Sequence, residues 1–314
     1  MSNKEKERSD SLSPEMFQKL DRSKLDVDGA SRASLTAWQD IRIRLLSNKM
    51  AMAGFWIIVA MILVAIFMPL IWPFDHFTND LSKTNLPPSS THWFGTDDLG
   101  RDMFERVWKG AQVSLFVGVV AALIDLIIGI IYGGIMGYYG GKVDEVMNRF
   151  SEILNSIPYL LVVILLLVVM EPSITTIIVA MSITGWINMA WIVRGQVMQL
   201  KNQEYALASK SLGAGAMRII FRHLIPNAMG PILVTLTLTI PSAIFTEAFL
   251  SFLGLGVQSP IASWGTMIDD GVAGILADHW WRLFFPAFFL SLTIFAFNVF
   301  GDGLRDAFDP KLKK

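Results

Sequence analysis

The sequence predicts an all-α integral membrane protein with six transmembrane helices. Three observations lead there. Apolar residues make up 53% of the 314 positions and charged residues 17%, whereas soluble domains carry about 45–50% and about 25%. With a mean hydropathy of +0.49, that surface needs lipid for part of its solvent. Six stretches with few or no charges reach the ~17–25 residues that a helix needs to cross a bilayer. Basic residues gather on one side of those stretches, as the positive-inside rule requires of a multi-pass chain.

The first stretch, Met50–Phe74, runs 25 residues without a charge. Gly110–Gly141 comes next and is interrupted only by Asp125. Ile153–Met170 and Pro172–Val193 are separated by Glu171, and Leu224–Thr246 and Leu283–Gly301 complete the set. A seventh stretch, Ala248–Ile268, is long enough but holds Gly254, Gly256, Gly265 and Pro260 among serines. Irregular backbone in lipid leaves amides unpaired, so it is expected to be a folded loop at the outer interface. Six spans with the N-terminus inside place 21 of the 26 Lys and Arg residues in the cytoplasm. A seventh span would move Arg305, Lys311, Lys313 and Lys314 outside. Both termini are therefore expected to be cytoplasmic.

The resulting organisation is a cytoplasmic tail (1–49), the first span (50–74), an outer loop (75–109), a five-span core (110–310) and a basic tail (311–314). Residues 1–34 are rich in Ser, Asp, Glu and Lys and read as mobile. Thr36–Asn48 spaces Trp38, Ile41 and Leu45 helically and reads as an interfacial helix. No short apolar segment with a small-residue cleavage pattern marks a signal peptide.

Several chemistries are missing. There is no cysteine, and the four histidines, His76, His92, His223 and His279, stand far apart. No H-E-x-x-H or phosphate-binding loop occurs; Gly140-Gly141-Lys142 is followed by Val143 rather than a hydroxyl residue. No G-x-S-x-G elbow is present. Near-neutral net charge, −1, gives no sign of nucleic acid. The expectation is a path for solute, or a partner of one, rather than an enzyme, with no cofactor of its own.

The segment 194–227, after the fourth span, has more character than a connector. Gln203–Leu212 has few helix breakers and small side chains at Ala206, Ala208 and Ser209, with Ala214 and Ala216 beyond it. Gly213 and Gly215 permit a positive φ or a close approach, and Pro226 stops or kinks the chain near the membrane. Such a helix either packs on its own bundle or is gripped by another protein.

This loop resembles the cytoplasmic loop of permease subunits of ATP-binding cassette importers, with the pattern E-A-A-x3-G-x9-I-x-L-P. Ala208, Gly213 and Pro226 match, while Leu207, Ser209 and His223 depart from Glu, Ala and Ile. Glu204 is the nearest acidic substitute. Further stretches resemble the peptide/nickel branch: Phe94–Asp102, Gly137–Asp144, Glu152–Pro158, Leu250–Gln258 with Ser263-Trp264-Gly265, and Gly301–Pro310. The tail and the closing Asp-Gly-Leu-Arg-Asp are similar to the C-type subunit of oligopeptide importers. The resemblance implies a type I importer permease fold and a coupling helix seated in an ATPase groove. It places Glu204, Tyr205, Ala208, Ser209, Leu212, Gly213, Ala214 and Pro226 in that loop. It also implies a second permease, two ATPase subunits that use ATP and Mg, and an extracytoplasmic peptide-binding protein. Dipeptide or nickel cargo stays open within the branch. A self-sufficient channel or ion-driven carrier is the reading from another class.

Individual residues carry paired readings. Asp125 stands mid-span, where a charge costs about 2.5–3.5 kcal/mol. It either lines the solute path with Asn188 or bonds to Asn188, Asn298 or the second permease. Glu247, near the outer end of the fifth span, contacts either the Ser251–Gln258 loop or the solute. Thr96-Asp97-Asp98 reads as a helix N-cap with acidic first-turn residues. Trp264, Trp280 and Trp281 read as interfacial anchors. Trp191 stands where family members often carry Arg, so any role of that arginine is absent.

Overall fold

The computed structural model describes residues 36–258 and 260–309. The tails 1–35 and 310–314 lie outside the described residues, including the segment read as mobile. Among the described residues the chain is helical, and the one extended pairing is an isolated bridge between Thr96 and Asp102.

Helix α1 (Ala37–Ser47) matches the expected Thr36–Asn48 helix. Thr36 and Gln39 cap its start reciprocally: the Thr36 amide donates to Gln39 Oε1 and the Gln39 amide donates to Thr36 Oγ1. Among the described residues, four single helices and the run Ile174–Leu200 are long and apolar enough to cross a membrane, and a bent pair supplies a sixth passage if it counts as one span. Helix α2 (Lys49–Ile71) buries Ala51, Gly54, Ile58, Met61 and Ala65. That spacing makes one stripe of a helix, packed on the last helix, while Trp56, Leu63 and Phe67 face outward. Helix α3 (Met103–Tyr139) has 37 residues, about 55 Å at 1.5 Å per residue, well beyond the ~30 Å hydrocarbon layer. Both its ends therefore project from the membrane.

The third stretch is not one straight helix. Helix α4 (Gly141–Ser156) and helix α5 (Tyr159–Val169) meet at 78°. Pro158 disfavours helical backbone at Ile157, and α5 with its 11 residues covers about half a bilayer. The fourth stretch is α6 (Ile174–Thr184) and α7 (Trp186–Leu200), joined at Gly185. Helix α8 (Glu204–Ser211), the turn α9 (Ala216–Ile219), a π-helical turn (Ile220–Leu224) and the short α10 (Ile225–Asn227) lead into α11 (Met229–Phe252). The seventh stretch is indeed interrupted. Residues 253–258 and 260–263 lie outside the helices, and helix α12 (Trp264–Ile275) starts from a Ser263/Thr266 capping box. Helix α13 (Trp281–Phe308) closes the bundle.

The tightest seam joins α3 to α7. Gly129, Gly133 and Gly137 lie on one α3 face and meet Met189, Ala190, Val193 and Val197. A Cβ at Gly133 would collide with the Ala190 carbonyl oxygen. Small residues let backbones approach in lipid, where dispersion and polar contacts replace the hydrophobic effect.

Residues 72–102 form a cap at the α3 end that carries Met103. Here the N-cap expectation needs correcting. The N-cap is Asp102, not Thr96-Asp97-Asp98. Asp102 Oδ1 accepts from the Glu105 amide (2.9 Å) and from Trp72 Nε1 (3.1 Å), and its Oδ2 lies 2.7 Å from His92 Nδ1. Asp97 instead takes Arg101 Nε at 2.6 Å, and the Thr96 hydroxyl donates to the Lys83 carbonyl. Two tryptophans also differ from expectation. Trp264 is fully buried and donates to the Val107 carbonyl; Trp281 is buried and donates to the Thr96 carbonyl. Trp264 pins the start of α12 to α3 and Trp281 pins the start of α13 to the cap; of the three only Trp280 is exposed. Glu247 is also fully buried. It accepts from Ser114 Oγ at 2.7 Å and Ser251 Oγ at 2.8 Å, which ties the end of α11 to α3.

The seam makes a prediction. Gly133→Val should cost about 1–3 kcal/mol through overpacking, read as a lower melting temperature of the solubilised protein. Gly195→Val, on an α7 face where a Cβ meets nothing within 4 Å, should leave it unchanged.

Candidate functional site

Two features stand out, and α7 carries both. The first is the segment between α7 and α11. Gln203 enters α8 in extended conformation, φ −74° and ψ 151°. The helix ends in a Schellman motif: the Gly213 amide donates to the Lys210 carbonyl (3.0 Å) and the Ala214 amide to the Ser209 carbonyl (3.1 Å). Gly213 has φ +83°, and a Cβ there would meet nothing within 4 Å. Glycine is therefore required for its backbone angle, not for space. Gly215, by contrast, has φ −68°.

Ala206, 3% exposed, anchors α8 in a cluster with Val197, Ile219, Ile220 and Leu224. Ala214 packs against the same cluster. The other loop residues face away from it. Glu204 and Ala208 are exposed, Tyr205 is about one-third exposed, and Ser209 is half-buried, its hydroxyl bonded to the Tyr205 carbonyl. Leu212 at the tip is 89% exposed. Pro226 is exposed in α10. It does not stop the helix, because the π turn and α10 carry the chain on into α11.

The root of this loop is tied down by charge. Arg194 grips Asp144 of α4 with two bonds, of 2.5 and 2.6 Å, a bidentate arrangement that fixes orientation. Lys201 Nζ donates to the Gly137 and Tyr138 carbonyls at 2.8 and 3.1 Å. It thus caps the negative end of the α3 dipole.

The second feature is a groove of about 430 Å³ between α3, α5, α6, α7 and α11. Asp125 and Asn188, both expected on a solute path, line it together, with Tyr159 and Gly185. Asn298 does not line it and is exposed on α13. The Asp125 carboxylate lies directly over Gly185, where a Cβ would collide with its oxygens. Asp125 is 5% exposed, yet its Oδ1 and the Tyr159 hydroxyl have no hydrogen-bond partner. Sequence reading missed the α11 wall. Thr235, Thr239, Ser242 and Thr246 line it at helical i, i+4, i+7, i+11 spacing, a polar stripe within an apolar span that was legible in the residue order. Tyr159 carried no such signal, since only the α4–α5 bend brings it in. Trp191 lies outside the groove lining and donates to Ser151 Oγ at 3.3 Å.

Comparison with known proteins is consistent with this geometry. Residues 127–314 match the family of binding-protein-dependent transport system inner membrane components. Residues 36–88 match the N-terminal transmembrane domain of oligopeptide transport permease C. The oligopeptide transport system permease protein of Bacillus subtilis is 58% identical over 95% of this chain and 98% of its own length. The dipeptide transport system permease protein of the same organism is 58% identical over 92% of this chain and 90% of its own. The oligopeptide permease protein of Escherichia coli K12 is 44% identical over 92% and 94%. A multi-pass helical chain that matches this family over more than half its length, with relatives of this similarity along nearly all of it, belongs to the binding-protein-dependent transport system inner membrane components, the permease subunits of ATP-binding cassette importers.

Proposed function

We propose that the chain is a transmembrane subunit of an ATP-driven oligopeptide importer and that the 194–227 loop couples it to the ATPase. The carrying observation is the α8–Gly213 stub: anchored from beneath by Ala206, tied at its root to α3 and α4, and presenting Leu212 to whatever lies beyond. An apolar side chain that is 89% exposed on a rigid, capped helix end suits a concave protein surface. In this reading both termini and the loop are cytoplasmic, and a second permease closes the groove into a path. Two ATPase subunits grip the loops and use ATP with Mg, which this chain does not bind. A binding protein delivers peptide at the end capped by residues 72–102.

The mechanism rests on continuity. Helix α7 runs from the groove at Gly185 and Asn188 to the loop at Leu200, and α11 returns from the loop to the groove. Closure of the ATPases displaces α8, and the tied root passes the motion to α7 and α11. ATP shifts the population between inward- and outward-open states only through contacts that differ between them.

Leu212→Asp and Gly213→Trp should leave membrane insertion and assembly intact. ATP-dependent peptide uptake should fall at least tenfold while ATP hydrolysis persists uncoupled. Unchanged uptake in both would remove the loop from the coupling path. In proteoliposomes, the chain with its partner subunits should take up peptide only with hydrolysable ATP. Uptake by the chain alone, without ATP, would establish a channel or carrier instead.

A further inference from the structure

The groove has a chemical bias that the importer reading alone does not explain. Its one ionisable carboxyl is Asp125, and no Lys, Arg or His lines it. Thr235, Thr239 and Thr246 spend their hydroxyl protons on backbone carbonyls four residues back, at 2.9, 2.9 and 2.8 Å. They therefore turn oxygen lone pairs, not protons, toward the groove. With Asp125 Oδ1 buried and unbonded, the one carboxyl of the wall is an acceptor, and the wall's donors, such as the Asn188 amide and the Tyr159 hydroxyl, are neutral. An unpaired carboxylate at such a site is costly unless a cation meets it. Gly185 leaves the room that the carboxylate occupies at the groove wall. A bulkier residue there would displace it.

We propose that Asp125, with Tyr159 and Asn188 beside it, is a subsite that holds the α-ammonium group of the peptide during passage. The proposal rests on the importer reading and names what its groove recognises. A peptide N-terminus brings three N–H donors and a positive charge, matching the carboxylate and the threonine oxygens. The peptide's carboxylate end finds no cation here and is disfavoured, so the groove gives the chain a direction of entry.

The chain has no cysteine, which permits a direct test in the assembled transporter. A cysteine is introduced at the groove residue Thr184 (Thr184→Cys). Its modification by cationic aminoethyl methanethiosulfonate is compared with that by neutral methyl methanethiosulfonate. Because both reagents meet the same thiolate, the ratio of rates reads the local potential. Focusing by a single-sign cleft raises local cation concentration at least about tenfold. The cationic-to-neutral ratio should therefore fall about tenfold on adding Asp125→Asn. Trialanine should slow modification and N-acetyl-trialanine should not, a comparison that needs no change at Asp125. An equal ratio with Asp and Asn at 125 would overturn the proposal, because the carboxyl would then present no charge to the groove. Equal protection by the two peptides, or protection by neither, would overturn the ammonium assignment. Uptake without ATP by the wild-type chain would sink the importer reading while leaving the labelling result intact.

Discussion

Everything that matters in this molecule hangs on the close approach of α3 to α7. Gly129, Gly133 and Gly137 bring two backbones together in a medium where apolar surface alone does not drive helices to associate. At one end of this contact Asp125 lies over Gly185. At the other, Lys201 caps the α3 carbonyls and Arg194 holds Asp144. One seam therefore sets both the shape of the groove and the attachment of the loop. A side chain inserted at its middle would separate the two.

The cap and the loop solve opposite problems at the two ends of α3. At the capped end polar groups are buried and bonded: Asp102 of the cap takes an amide, an indole and an imidazole, and Glu247 of α11 is enclosed by two serine hydroxyls. Buried polar groups are stable only when bonded, and these bonds fix the geometry of the chain between spans. The loop does the reverse. It buries Ala206 alone from α8 and leaves the tip apolar and bare. A surface built that way is incomplete without a partner.

Much of this could be read from residue order, for identifiable reasons. Uncharged runs located the spans because the bilayer imposes length and apolarity together. The α8 helix and the glycine that ends it were legible because a Schellman turn demands a residue free to take positive φ. What escaped depends on contacts distant in sequence. The α4–α5 bend was hidden because apolarity counts ignore Pro158. Trp264 and Trp281 looked like interfacial anchors, yet their indole N–H groups find the Val107 and Thr96 carbonyls. The threonine stripe of α11 was visible in the spacing but masked by the hydropathy of its neighbours. That Asp125 and Asn188 share a groove was foreseeable, because a charge in a span needs water or protein; that Tyr159 joins them came from the fold alone.

The central claim is mechanical: groove and loop belong to one rigid unit built on α7. Pulsed electron–electron distance measurement tests it most directly, with spin labels on cysteines placed at positions 188 and 210 of the cysteine-free chain in the assembled transporter. The account predicts that the distance between these two labels stays fixed with and without ATP, while the distance from position 188 to a label on the facing permease changes. An intrachain distance that shifts with ATP while the distance across the groove stays constant would contradict it, because the loop would then move without carrying the groove.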